Sequence, residues 1–181
     1  MIKKVDILGI QLDNYTVREA IMCVERYLSN NVLNTIESIS LQMLIDSETN
    51  PVLKEVMSSL DLAIIGEKEI IQAAGLESMQ RIRETEENDF YFEFFKRIER
   101  NKKSVFLLGD TQEKIDSLKA ELAEDYPKLI FAGEYAVETC VGDLEAVIND
   151  MNATTPDVII SVLPSPMQEP VSYTHLTLPT T

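Results

Sequence analysis

Three turns in this chain bring glycine or a Ser-Pro pair together with a carboxylate or an amide: Gly66-Glu67, Gly109-Asp110 and Ser165–Glu169. Each follows a short apolar run and precedes a helical pattern. A glycine there lets a ligand approach the backbone, and the free amides of a helix N-terminus favour phosphate. In Val105–Asp110 the same residues also describe an ordinary tight turn in which Asp110 caps a helix. Ser165-Pro166-Met167-Gln168 is a capping box, with Ser165 at the cap and Gln168 at the third helical position. Beside a ligand, Gln168 would read a base or a sugar and Glu169 would hold a hydroxyl; spacing alone leaves both readings open.

Other chemistries are poorly supplied. The chain has one histidine, His175, and two distant cysteines, Cys23 and Cys140, that form no CxxC pair. This argues against a zinc ribbon or a disulfide scaffold and suits a reducing compartment. Cys140 has no histidine partner to make it a nucleophile, and Cys23 falls on the apolar face of a helix. No Walker A, GxGxxG, HExxH, GxSxG or EF-hand pattern occurs. Sixteen Lys and Arg against 31 Asp and Glu give a net charge of −15. A chain this acidic is a poor general binder of nucleic acid, because phosphate neutralisation needs basic residues in excess. The start, Met-Ile-Lys-Lys-Val-Asp, reads as neither a signal peptide nor a membrane span, so the expected address is cytoplasmic. The basic cluster Lys96–Lys103 reads as a solvated helix end, with contact to anionic lipid headgroups as the minority reading.

The elements that must position these turns alternate in type. Strand-like runs lie at Val5–Ile10, Leu33–Ser40, Leu60–Ile65, Val105–Leu108, Leu129–Ala132 and Val158–Leu163. Helical runs lie between them. Thr16–Glu19 is a capping box ahead of Val17, Ala20, Ile21, Val24 and Leu28 at helical spacing. Further helices are expected at Leu41–Ser47, after Pro51, over Glu67–Ala74 with Gly75 as cap, over Phe90–Asn101, after Asp110 and from Asp143. Arg81–Asp89 is polar, and its acidic run Glu84–Asp89 reads as a solvated loop. Strands separated by helices imply βαβ units. The expected fold is α/β: a Rossmann-like sandwich with a mostly parallel sheet and helices on both faces. Ligands in such folds sit beyond the carboxyl ends of the strands, so all three turns are expected on one edge of the sheet.

The composition fits one domain at about 150 residues per domain, with residues 1–169 as that domain. Pro170–Thr181 contains no Asp, Glu, Lys or Arg, although charged residues are 26% of the chain. Val171–Thr181 looks like a translated sequencing-adapter tail, the alternative being a genuine disordered or strand-forming tail. It is expected to contribute little to stability.

In order and spacing, several segments resemble the WecG/TagA/CpsF glycosyltransferases (glycosyltransferase family 26). They are Ile7–Thr16, Asn50-Pro51, Leu60–Ile65, Val105–Gly109, Pro156–Ile160 and Ser165–Glu169, the last matching the family's Ser-Pro-x-Gln-Glu. The resemblance covers about residues 5–169. It implies transfer of an N-acetylhexosamine, often N-acetylmannosamine, from a UDP-sugar donor to a lipid-diphosphate-linked acceptor. The products feed surface polysaccharide or teichoic acid. The implied chemistry is inverting, with no metal or cofactor. The implied setting is the inner face of the membrane, with peripheral membrane contact and a homo-oligomer as further expectations.

Family residues carry over position by position. Ser38 and Ser40 stand where members often carry Thr and Asn, and Arg81 or Arg83 matches an Arg near the diphosphate. Gly109, Asp110, Ser165, Gln168 and Glu169 complete the expected binding set. Where the family usually reads Asp-Gly this chain reads Gly66-Glu67. The family Asp is the candidate general base, a role Gly66 cannot fill, so Glu67 is the expected substitute. The competing expectation is a non-catalytic member that binds a nucleotide-sugar or a partner enzyme.

Overall fold

The computed structural model describes residues 3–30, 32–76, 78–139 and 145–163. These form two compact units, residues 1–94 and 95–181. The boundary between them falls within the helix Asp89–Arg100.

The first unit opens on a hairpin, β1 (Lys4–Ile7) and β2 (Ile10–Asp13), paired antiparallel. The sequence reads Val5–Ile10 as one strand, but Leu8 and Gly9 both take positive φ, 53° and 81°, and reverse the chain. Two such residues are what a two-residue hairpin turn of the inverted type demands. Asp6 Oδ1 accepts the Gly9 amide at 3.1 Å and holds the turn. Leu8 lacks the usual turn chemistry, which is why its type does not announce the reversal.

Helix α1 (Val17–Leu28) follows, with the expected capping box: Thr16 Oγ1 accepts the Glu19 amide and the Glu19 carboxylate accepts the Thr16 amide. A cap of this kind is worth about 1 kcal/mol. Then come β3 (Ile36–Ile39), α2 (Leu41–Ser47), α3 (Pro51–Ser59) and β4 (Leu62–Ile65). Ser40 and Asn50 cap α2 and α3, and Pro51 opens α3 as its position predicts. The sheet order is β1-β2-β4-β3, parallel except for the hairpin. All four residues of β4 are buried, as an apolar run in a central parallel strand requires. Asp13, 3% exposed, ties the hairpin in: its carboxylate accepts the Ala63 amide at 2.9 Å and pairs with Lys4 at 3.0 Å.

Helices α4 (Lys68–Ala73), α5 (Met79–Glu86) and α6 (Asp89–Arg100) complete this half. Gly75, φ 65°, ends α4 as expected. The expected loop at Glu84–Asp89 is corrected: Glu84–Glu86 closes α5, a helix capped by Ser78, and Asp89 opens α6, with Arg81 and Glu84 both buried. Composition makes this stretch look solvated, yet its two inward-facing charges neutralise one another.

The second unit contains β5 (Ser104–Gly109), α7 (Gln112–Asp125), β6 (Ile130–Ala136), a 3-10 turn at Val137–Thr139, α8 (Glu145–Thr154) and β7 (Val158–Val162). The order is β6-β5-β7, all parallel. β6 runs four residues past the expected Ala132. It pairs with β5 along its whole length, with an irregularity between Val105 and Phe106. Gly133 is needed there, because a Cβ would stand 2.8 Å from the Phe106 ring. Phe106, Leu108, Met151 and Leu163 form a core between this sheet and its helices.

Both units use one device at the amino end of a strand pair. Asp61 Oδ2 accepts the Thr35 amide at 2.8 Å and the Thr35 hydroxyl at 3.3 Å, while the Asp61 amide points back at that hydroxyl. Asp157 Oδ2 does the same with the Ser104 amide at 2.9 Å and hydroxyl at 3.1 Å, and its own amide donates to Ser104 Oγ. Each clamp sets the stagger of two parallel neighbours, β3 with β4 and β5 with β7. The fold is α/β with parallel βαβ units, consistent with a Rossmann-like class. Its seven described strands form two sheets.

Candidate functional site

In the first unit a cleft opens past the carboxyl ends of β3 and β4. Ser38, Ile64, Ile65 and Gly66 line it from the sheet, Tyr15 and Val17 from the start of α1, and Arg81, Glu84, Asn88 and Tyr91 from α5 and beyond. The sheet half is set by register: Ser38 lies beside Ile64 and Ile39 beside Ile65. The Gly66 amide then donates to the Ile39 carbonyl at 2.9 Å. A Cβ at residue 66 would stand 2.5 Å from Ser38 Oγ and 2.8 Å from the Ile39 carbonyl oxygen. With this backbone no side chain fits at 66, so the glycine is a packing requirement.

Glu67 is half-buried at the start of α4 and makes no side-chain cap there. Its carboxylate instead accepts the Leu41 amide at 3.1 Å, at the first residue of α2. Ser40 Oγ accepts the Met43 amide at 3.2 Å on the same helix. Glu67 and Ser40 therefore meet at the start of α2 and are not part of the cleft lining. Ser38, Gly66 and Arg81 are.

Arg81 forms the floor. It is 6% exposed and Glu84 is 8% exposed. Arg81 Nη1 donates to Glu84 Oε2 and Arg81 Nε to Asn14 Oδ1, each at 3.5 Å. Glu84 Oε2 also accepts the Val17 amide at 3.1 Å, and Gln80 Nε2 donates to Glu84 Oε1 at 2.8 Å. Arg81 Nη2 is buried with no partner. Burial pulls the guanidinium below its ordinary range, against the attraction of Glu84. The Tyr91 hydroxyl is hydrogen-bonded with that of Ser38, and desolvation of that hydroxyl, on a side chain otherwise exposed, pushes its pKa up. Arg83, the other position that resemblance offers, is exposed and faces Glu87 at 4.0 Å.

In the second unit Gly109 is buried, and a Cβ there would stand 2.7 Å from Ile115 Cγ1 and 3.3 Å from Val162 Cγ2. It lets α7 pack on the end of the strand. The expected cap at Asp110 is corrected: Thr111 caps α7, its hydroxyl accepting the Lys114 amide at 3.3 Å. Asp110 accepts the Thr111 amide at 3.0 Å and pairs with Lys114. Glu138 Oε1 accepts the Gln112 amide at 2.6 Å. The first amides of α7 thus already face carboxylates of the chain itself. Gly66 and Gly109 end strands of different sheets, which corrects the expectation of one shared sheet edge. Ser165, Gln168 and Glu169 lie outside the described residues.

Sequence reasoning missed Glu84, Asn14, Tyr15 and Tyr91. Ser78 three residues before Arg81, and Arg81 three before Glu84, were the available signals for an inward helical pair. Nothing local marks Tyr91, since its partner Ser38 lies on a distant strand. Among the described residues no group of three or more His, Cys, Asp or Glu is placed to hold a metal ion. Among them, too, no helix is long and apolar enough to cross a membrane.

Parallel βαβ units with a small cleft beyond two strand ends describe an α/β protein of Rossmann-like class. The sequence model described as "Glycosyl transferase WecG/TagA/CpsF family" matches residues 5–180, and the chain belongs to that family. It is similar to N-acetylglucosaminyldiphosphoundecaprenol N-acetyl-β-D-mannosaminyltransferases of Staphylococcus aureus, among them those of strains COL and N315. Each is 22% identical over 174 residues, which is 95% of this chain and 68% of the relative.

Proposed function

We propose that this protein transfers an N-acetylhexosaminyl group, N-acetylmannosamine-like, from a UDP-sugar to a lipid-diphosphate-linked acceptor. The product would enter surface polysaccharide or teichoic acid, with the protein working from the cytoplasm at the inner face of the membrane. The observation that carries this reading is the cleft. Ser38, Gly66 and Arg81, three positions matched to family binding or catalytic residues, line one opening past the carboxyl ends of β3 and β4. Glu67 is the base in this reading. To reach an acceptor hydroxyl at about 2.6–3.2 Å, its carboxylate must leave the Leu41 amide, and Gly66 is the adjacent hinge.

That hydrogen bond favours a second reading, a non-catalytic member that binds a nucleotide-sugar or a partner enzyme. A helix-capping carboxylate already has a structural task.

The experiment is transfer by the full chain from a panel of UDP-sugars to an N-acetylglucosaminyl diphospholipid, beside Glu67→Gln. Loss of about 10²–10⁴-fold in the variant supports the base. An unchanged rate removes Glu67 from the mechanism. Binding of UDP-sugars without turnover selects the second reading.

A further inference from the structure

Of the two positions matched to an Arg near the diphosphate, Arg81 is the one that lines the cleft. A guanidinium offers five N–H donors from three nitrogens in a planar fork. Arg81 Nε donates to Asn14 Oδ1 and Nη1 to Glu84 Oε2, each at 3.5 Å. Nη2 is buried with no partner. The chain itself therefore engages two of the three nitrogens and leaves one for an acceptor from outside. A buried donor left unmade is costly, so such an acceptor is called for.

Both holding residues are themselves fixed. Asn14 is 5% exposed, directly after β2, and its backbone amide donates to the Lys3 carbonyl at 2.8 Å. Glu84 Oε2 accepts the Val17 amide at 3.1 Å as well as Arg81, and Glu84 Oε1 accepts from Gln80 Nε2 at 2.8 Å. Asn14 and Val17 bracket the short connection from β2 to α1, so one loop grips both Arg81 and Glu84. A free arginine loses much rotamer freedom when a ligand orders it. Here folding has already removed that freedom. The space against Arg81 is about 30 Å³, room for a water-sized group and not for a sugar ring. A larger ligand lying outside can present an oxygen there, and the direction of the remaining donor then decides the contact.

We propose that Asn14 and Glu84 are positioning residues: by holding Nε and Nη1 they fix the plane of the Arg81 guanidinium and leave Nη2 to donate to a single oxygen of the substrate. Neither is among the site residues that the resemblance supplies. The inference rests on the glycosyl-transfer reading, from which Arg81 takes its substrate.

The test compares the full chain with Asn14→Ala, Glu84→Gln, Arg81→Lys and Asn14→Ala combined with Arg81→Lys, folding being checked by circular dichroism. NMR of the arginine side chains reports rotation about the Arg81 Nε–Cζ and Cζ–Nη bonds. Expected is slow rotation in the unmodified chain, several-fold faster in Asn14→Ala and Glu84→Gln, with the exposed Arg83 unchanged as control. Transfer from UDP-sugars should fall about 10–10²-fold in Asn14→Ala. It should fall no further when Asn14→Ala is added to Arg81→Lys, because Asn14 acts through the guanidinium. General loosening of the fold would cost the same factor in both backgrounds. That result, or free rotation of Arg81 in the unmodified chain, overturns the proposal. Should Glu84→Gln unfold, Asn14→Ala and the cycle decide. The same cycle is read in the Kd of UDP. UDP binding weakened by Asn14→Ala only where Arg81 is present, without transfer, upholds the positioning and defeats the transferase reading alone. Transfer unchanged in Asn14→Ala defeats the positioning alone, and a chain that neither transfers nor binds UDP defeats both.

Discussion

Ser38 Oγ occupies the space beside Gly66 that a side chain there would enter: a Cβ on Gly66 would stand 2.5 Å from it. The glycine at 66 and the close approach of β3 to the end of β4 are thus one feature. Placing a carboxylate there by Gly66→Asp is expected to destabilise the fold by about 1–3 kcal/mol, the usual cost of overpacking. In a chain of this length that lowers Tm by roughly 2–4 °C per kcal/mol. Ser38→Ala in the same chain should recover part of the loss, because the Ile39 carbonyl, 2.8 Å from the same point, remains. Thermal unfolding of the four proteins measures this coupling; simple additivity would show that Ser38 is not the obstacle.

Glu84 joins two elements, accepting from Val17 at the start of α1 and from Arg81 on its own helix. Glu84→Ala leaves a buried guanidinium uncompensated and should cost about 3–5 kcal/mol. Arg81→Met combined with Glu84→Gln should cost less than the sum of the single changes, since neither charge is then left alone. Urea denaturation of Glu84→Ala, of the two single changes Arg81→Met and Glu84→Gln, and of their combination gives the comparison.

Glu19 carries a predictable pH dependence. The hydrogen bond from Lys3, aided by the Thr16 amide, lowers its pKa from 4.5 to about 2. A carboxyl depressed in the folded state stabilises fully above its unfolded value, and that contribution is lost as pH falls through the folded value. The expected window runs from about pH 4.5 down to about 2. Tm measured across it should fall less steeply in Glu19→Gln than in the unmodified chain. Parallel curves would mean that the bond to Lys3 does not hold in solution.

The two clamps at the strand starts should behave alike. Asp61→Ala removes the acceptor of the Thr35 amide and hydroxyl, and Asp157→Ala that of the Ser104 pair. Each is expected to cost about 0.5–1.5 kcal/mol, the net worth of such hydrogen bonds at exposed positions where water takes over the freed donors. Hydrogen exchange should quicken first at Thr35 and Ser104. Unchanged exchange at either amide would remove the clamp from that unit.

What the sequence determined by itself was local. Thr16 with Glu19, Ser40, Pro51 and Gly75 act within one turn of their own helices, so residue type and spacing sufficed to place α1, α2, α3 and the end of α4. The apolar runs of β4 and β5 identified buried parallel strands for the same reason, because a central strand is apolar on both faces. The positions matched to the family could also be numbered from the chain. Only the tertiary structure decided what those residues face. Glu67 bonds to Leu41, 26 residues away, Glu84 to Val17, 67 away, and Tyr91 to Ser38 on a strand. No local pattern encodes such partners, since they depend on how strands pair and helices dock. The hairpin at Leu8-Gly9 and the inward face of α5 were hidden for a related reason. A leucine at positive φ and a buried charge pair are both unfavourable alone; the first is held by the pairing of β1 with β2 and the Asp6–Gly9 hydrogen bond, the second by the mutual contact of Arg81 and Glu84.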